Sequence, residues 1–120
     1  LSPDGRYLVW TTIETGFSRL HARDLTTGRD ISVPKLPSGT MSIQFAGERP
    51  VLLISANSPT TAGQVLVWDL SAQTASARVL VPTDAPGLDL SKMVVPEPVR
   101  FAARDGAPLT GLLYMPAPAP

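Results

Sequence analysis

The sequence predicts an all-β protein made of repeated antiparallel sheet, and three observations carry that reading. Thirteen of the 120 residues are proline, about twice the usual share of roughly 5%, which works against long helices. The longest proline-free stretches, Asp4 to Val33 and Thr60 to Val81, are rich in Val, Thr, Leu and aromatic residues and hold no sustained helical period, as strands do. Finally, the chain matches itself when displaced by about 45 residues, the mark of a repeat architecture.

Taken in order, Ser2-Pro3-Asp4-Gly5 is turn chemistry, with Pro presetting φ and Gly and Asp tolerating tight backbone. Tyr7 to Ile13 is the first strand. One face carries Tyr7, Val9, Thr11 and Ile13 and the other Leu8, Trp10 and Thr12, so both are substantially apolar, as in a sheet covered on both sides. Gly16 belongs to a strand-connecting turn. Leu20 to Asp24 is the second strand, Thr26-Thr27-Gly28-Arg29 a polar connector, and Ile31 to Val33 a last strand.

The second copy begins with a strand over Met41 to Ala46 that has no counterpart in the first. The turn Gly47-Glu48-Arg49-Pro50 and strand Val51 to Ser55 follow at a shift of 44, then Val65 to Asp69 at a shift of 45, the connector Ser71 to Thr74, and Arg78 to Val81. Four strands per unit and a period of 40–45 residues are the pattern of β-propeller blades. Residues 1–82 are therefore expected to form about one and three-quarter blades, with Trp10 and Trp68 buried where the two sheets meet.

Residues 83–98, proline-containing and without periodicity, read as an interdomain connector. Residues 99–120 read as a β-hairpin, because alternating apolar residues run up to Asp105-Gly106 and resume after Pro108, and Asp-Gly between two such runs is a strong hairpin signal. With Asp105 to Pro108 as the loop, Arg104 would face Leu109, Phe101 would face Leu112 and Val99 would face Tyr114, keeping Pro108 out of the ladder. Val99, Phe101, Ala103, Thr110, Leu112 and Tyr114 would then share one face. The chain begins inside a turn motif and stops soon after this hairpin, so it is expected to be a fragment.

Ten Lys plus Arg balance ten Asp plus Glu, with no basic run, which argues against a nucleic-acid partner. No apolar run approaches the ~20 residues needed to span a bilayer, so no membrane partner is expected. Zero cysteines exclude a disulfide framework, a thiolate nucleophile and cysteine metal sites. Compartment and oligomeric state are not legible.

Candidate chemistry is sparse. Gly16-Phe17-Ser18 starts like a nucleophile elbow but lacks the second glycine and the following helix. His21, the only histidine, reads as ordinary sheet surface in mid-strand. Asp24 and Asp69 end equivalent strands, where they either form a ligand-binding pair or cap the turns that follow, and capping is favoured. Asp84, Asp89 and Glu97 lack calcium-loop spacing. Trp10 and Trp68 suit core packing better than ligand stacking. No phosphate loop or metal spacing occurs, so catalytic, cofactor-binding and metal residues are all expected to be none within this chain.

Leu1-Ser2-Pro3-Asp4-Gly5-Arg6-Tyr7-Leu8-Val9-Trp10 resembles the turn repeated in propellers of the prolyl oligopeptidase family and in TolB-like propellers. The tail separates the two: Pro96-Glu97-Pro98-Val99-Arg100-Phe101, then Arg104-Asp105-Gly106, then Leu109-Thr110-Gly111-Leu112-Leu113-Tyr114-Met115-Pro116 resembles the junction at which members of that family, including acylaminoacyl and dipeptidyl peptidases, leave the propeller and begin their α/β-hydrolase domain. The resemblance implies a serine peptidase parent acting on short peptides. Its Ser-Asp-His triad, elbow and oxyanion segment would lie beyond Pro120, and the peptide substrate would be met through that missing domain. The alternative is a non-enzymatic, TolB-like or WD-repeat-like propeller binding module.

Overall fold

The computed structural model describes residues 1–116 and Pro118, and the antiparallel all-β architecture is as the sequence predicts. Among the described residues, nine strands make three separate sheets. The first contains β1 (Tyr7–Glu14), β2 (Phe17–Asp24) and β3 (Arg29–Asp30). The second contains β4 (Thr40–Phe45), β5 (Val51–Ser58), β6 (Thr61–Asp69) and β7 (Ala77–Val81). The third is the hairpin of β8 (Glu97–Ala102) and β9 (Pro108–Leu113). Among the described residues the only helical element is a single 3-10 turn, Leu90–Lys92.

The two larger sheets are copies of one unit down to individual hydrogen bonds. Tyr7 faces Asp24 in the first and Val51 faces Asp69 in the second. The Ser2 amide donates to the Tyr7 carbonyl at 2.8 Å as the Ala46 amide donates to that of Val51 at 2.9 Å, and Leu25 to Arg6 at 2.7 Å is matched by Leu70 to Pro50 at 3.0 Å. The slip from 44 to 45 also has a structural cause. Glu14 and Phe17 correspond to Ser58 and Thr61 at a shift of 44, whereas Asp24 and Asp69 differ by 45, because β6 carries one extra residue in a bulge opposite Asn57. The bulge includes Gly63, with φ +65°, and the Asn57 side chain accepts the Gly63 amide at 2.8 Å. Bulges absorb one residue without changing the facing of the rest of the strand.

The core lies between the two sheets. Tyr7, Val9, Leu20 and Ala22 from one meet Leu52, Ile54, Ala56, Leu66, Trp68 and Leu70 from the other, all buried. Cross-strand pairs such as Val9 with Ala22 and Leu52 with Trp68 share a face, so alternation along each strand sends one complete apolar set inward. Trp68 is 2% exposed. Trp10 corrects the expectation of burial: it lies on the opposite face of the first sheet, half-buried, stacked on His21 with ring centroids 5.3 Å apart and planes 13° from parallel. One residue of parity separates Trp10 from the core face.

Two further expectations are corrected. Ile31 to Val33 does not form a strand; β3 ends at Asp30, and one more bond, from the Ile31 amide to the Ala22 carbonyl at 3.0 Å, follows before the chain bows away through Pro34 and Pro37, neither of which has an amide to offer a ladder. The hairpin forms, but its register differs by three residues. Phe101 faces Leu109, Val99 faces Gly111 and Ala102 faces Pro108. The loop is three residues long: the Gly106 amide donates to the Ala103 carbonyl at 2.9 Å, the Ala103 amide donates to the Ala107 carbonyl at 2.8 Å, and Gly106 has φ +84°. A left-handed glycine closing a three-residue loop is a favoured hairpin solution. Since Ala103 and Ala107 are bonded partners, alternation leaves Ala102 opposite Pro108 and Pro98 opposite Leu112 as non-bonded pairs, and neither proline breaks the ladder. An odd shift flips faces, so Leu109 and Leu113, rather than Leu112 and Tyr114, join Val99 and Phe101. Residues 117, 119 and 120 of the expected hairpin domain lie outside the described residues.

Strands β8 and β9 pair only with each other among the described residues. Leu112 reaches back to the β1–β2 turn, where a Cβ on Gly16 would stand 3.0–3.1 Å from its side chain. The connector is tethered by Thr83, whose hydroxyl accepts the Ala62 amide at 2.6 Å and donates to the Ala62 carbonyl at 2.7 Å, satisfying the backbone of the β6 bulge.

Candidate functional site

Ser18, His21 and Asp24 are the residue types of a hydrolytic triad on a single strand, β2, and strand geometry keeps them apart. Residues 18, 20, 22 and 24 share the core face while 19, 21 and 23 point the other way, so Ser18 and His21 are on opposite sides of the sheet. Ser18 and Asp24 are six residues apart, about 20 Å along an extended strand. Each has structural partners instead. The Ser18 hydroxyl accepts the Met41 amide at 3.1 Å, joining the two sheets. His21 Nε2 lies 2.8 Å from Thr12 Oγ1 and 4.0 Å from Glu14 Oε1. The second glycine of an elbow is absent, and Gly16 sits instead in the two-residue turn Thr15-Gly16, with φ values of 50° and 85°, as a β-hairpin of this length requires.

Asp24 and Asp69 perform one duty twice. Asp24 Oδ1 accepts the Thr26 amide at 2.9 Å while Oδ2 receives the Arg6 guanidinium at 2.9 Å. Asp69 Oδ1 accepts both the amide and the hydroxyl of Ser71, at 2.9 and 2.5 Å, and Oδ2 receives Arg49 at 3.0 Å. Each carboxylate caps the turn leaving its strand and clasps the arginine of the turn entering the neighbouring strand. The Arg6 hydrogen bond holds the Asp24 carboxyl below its usual range, and the Ser71 hydrogen bond does the same for Asp69, as expected when the charged form gains donors. Sequence reasoning identified the two aspartates but not their arginines, which sit in non-identical turns at a shift of 43.

In the connector, Asp89 caps the 3-10 turn by accepting the Ser91 amide and hydroxyl at 3.1 and 2.6 Å. Asp84 and Glu97 appear in no ion pair or metal-like cluster, and no group of three His, Asp or Glu capable of holding a metal ion occurs among the described residues. The chain also has concave features. One is a cleft of about 530 Å³ between β2 and the bowed segment 31–38, lined by Leu20, Ile31, Leu36, Ser38 and Met41 among others. A second, of about 370 Å³, contains the Arg6–Asp24 clasp at the end of the inter-sheet core, next to Trp68 and Ser71.

These features define a pair of adjacent β-propeller blades followed by a separate hairpin. No protein-family model matches the chain and no curated protein does. Among solved structures it is similar to prolyl oligopeptidase B from Galerina marginata, bound there to a 25mer macrocyclization substrate, with a TM-score of 0.74 at 17% identity over 91% of this chain. The match spans 15% of that protein's length. At this identity the likeness is one of fold.

Proposed function

We propose that the chain is the propeller-to-hydrolase junction of a serine peptidase of the prolyl oligopeptidase family, contributing access-limiting blades and the first hairpin of a catalytic domain that carries the Ser-Asp-His triad. The observation that supports this reading most is the extent of the structural likeness. The two blades end at Val81, so a match over 91% of 120 residues must continue through the connector and into the hairpin. A likeness confined to propellers in general would not need that tail. Strands β8 and β9 are not hydrogen-bonded into the sheet of β6, so they do not extend the second blade, which agrees with this reading. In this reading residues 1–82 are blades, 83–98 the connector and 99–120 the start of the hydrolase domain.

The test is to read the coding sequence onward. A His-Gly-Gly oxyanion segment about 30–60 residues past Pro120 and a Gly-x-Ser-x-Gly elbow further on, with fluorophosphonate labelling of the elbow serine in the extended protein, are the expected results. Continuation instead as further units of 40–45 residues with no elbow would overturn the reading in favour of a propeller binding module.

A further inference from the structure

The cleft beside β2 holds an unfilled piece of sheet edge. On this strand the even-numbered residues direct their backbone groups away from β1: the Asp24 carbonyl accepts Gly28, the Ala22 carbonyl accepts Ile31, and the Ser18 amide donates to Gly39. Leu20 lies between these bonded positions with the same orientation, yet neither its N–H nor its C=O has a protein partner among the described residues. It is 5% exposed. Segment 31–38, which contains Pro34 and Pro37, arches past this stretch instead of pairing with it, and the arch encloses the cleft of about 530 Å³. An unmade backbone pair at a nearly buried residue is costly, and the space beside it falls within the range of ligand pockets.

We infer that this arch is a receptor for one residue of an extended, uncharged peptide segment, which adds to β2 by exchanging both backbone hydrogen bonds with Leu20. Strand addition of this kind gains affinity from the main chain and specificity from the side-chain wall. Here the wall combines the apolar side chains of Ile31, Leu36 and Met41 with polar groups of Ser18, His21 and Ser38. The charged groups at its rim are compensated, Arg19 by Glu14 at 3.0 Å and Asp30 by Arg23 at 2.6 Å, so no free charge recruits an ionic guest. The guest's amide group is the feature recognised, and a β-branched side chain suits both the wall and the extended backbone. Nothing in this inference depends on a catalytic domain.

The test is amide hydrogen exchange by NMR on the 120-residue chain, titrated with acetyl-valine-methylamide and with its N-methylvaline analogue, which cannot donate to the Leu20 carbonyl. Saturable slowing of exchange at Leu20 by about fivefold or more, with amides of β5 and β6 unaffected and no protection by the analogue, is the expected outcome. A Leu36→Trp variant, filling the arch, loses the protection while retaining the exchange pattern of β5 and β6. Equal protection by the analogue, no saturable change at Leu20, or full protection of Leu20 in the free chain would each overturn the proposal.

Discussion

Replacing Trp68 with alanine tests the inter-sheet core more sharply than any other single change. The side chain is 2% exposed, faces Leu52 across the strand pair and lies opposite the Tyr7 face of the first sheet. A buried tryptophan removes about 150–250 Å² from water, worth roughly 4–6 kcal/mol at about 25 cal/mol per Å², and truncations of this kind cost about 3–5 kcal/mol when the cavity collapses only in part. A domain of this size holds about 6–18 kcal/mol in total, so Trp68→Ala is expected to remove a large fraction of it and lower Tm by about 10–25 °C. Trp10→Ala, which breaks a half-exposed stack on His21, is expected to cost about 1 kcal/mol. Urea titrations followed by far-ultraviolet circular dichroism would compare the two. Equal costs for the two substitutions would refute the assignment of the core to the face bearing Tyr7 and Trp68.

Gly39→Ala is expected to destabilise by about 1–3 kcal/mol, because its Cβ would collide with the Asn57 carbonyl oxygen; an unchanged Tm would count against the close approach of these segments. Gly106→Ala meets open space but must hold φ +84°, so about 1 kcal/mol of strain should appear as weaker NMR cross-strand contacts between Phe101 and Leu109, and unaltered contacts would refute the left-handed turn. Asp24, Asp69 and Asp89 all have folded pKa values below their unfolded ones. Their contribution is therefore complete above the ordinary carboxylate range near pH 4 and is lost as pH falls through the depressed folded values. Tm should be level from pH 7 to 5 and fall below about pH 4, less steeply in Asp24→Asn, and an identical acid profile for the variant would count against the clasp. The 120-residue chain should remain unlabelled by a fluorophosphonate, since Ser18 and His21 lie on opposite faces of β2; stoichiometric labelling of Ser18 abolished by changing His21 would overturn that geometry.

Composition and spacing sufficed for every strand but β3, for the repeat and for the presence of the final hairpin, because these depend on local rules: proline counts against helices, alternation marks strands, and Asp-Gly marks a turn. Even the one-residue drift between the copies was readable as a shift from 44 to 45. Its location was not, since a bulge at Ala62–Gly63 has no sequence signal stronger than a glycine. Parity and pairing needed three dimensions. Both faces of β1 look apolar in sequence, and which one became core was decided by where the second sheet packed, sending Tyr7 and Val9 inward and Trp10 out. The hairpin register followed from which residue the left-handed Gly106 could let the chain close upon, a choice between three- and four-residue loops that Asp105-Gly106 leaves open. The partners of Asp24 and Asp69, and the unfilled edge at Leu20, arise from segments brought together across 18 residues or more. Long-range contacts of that kind are products of packing, and no local pattern encodes them.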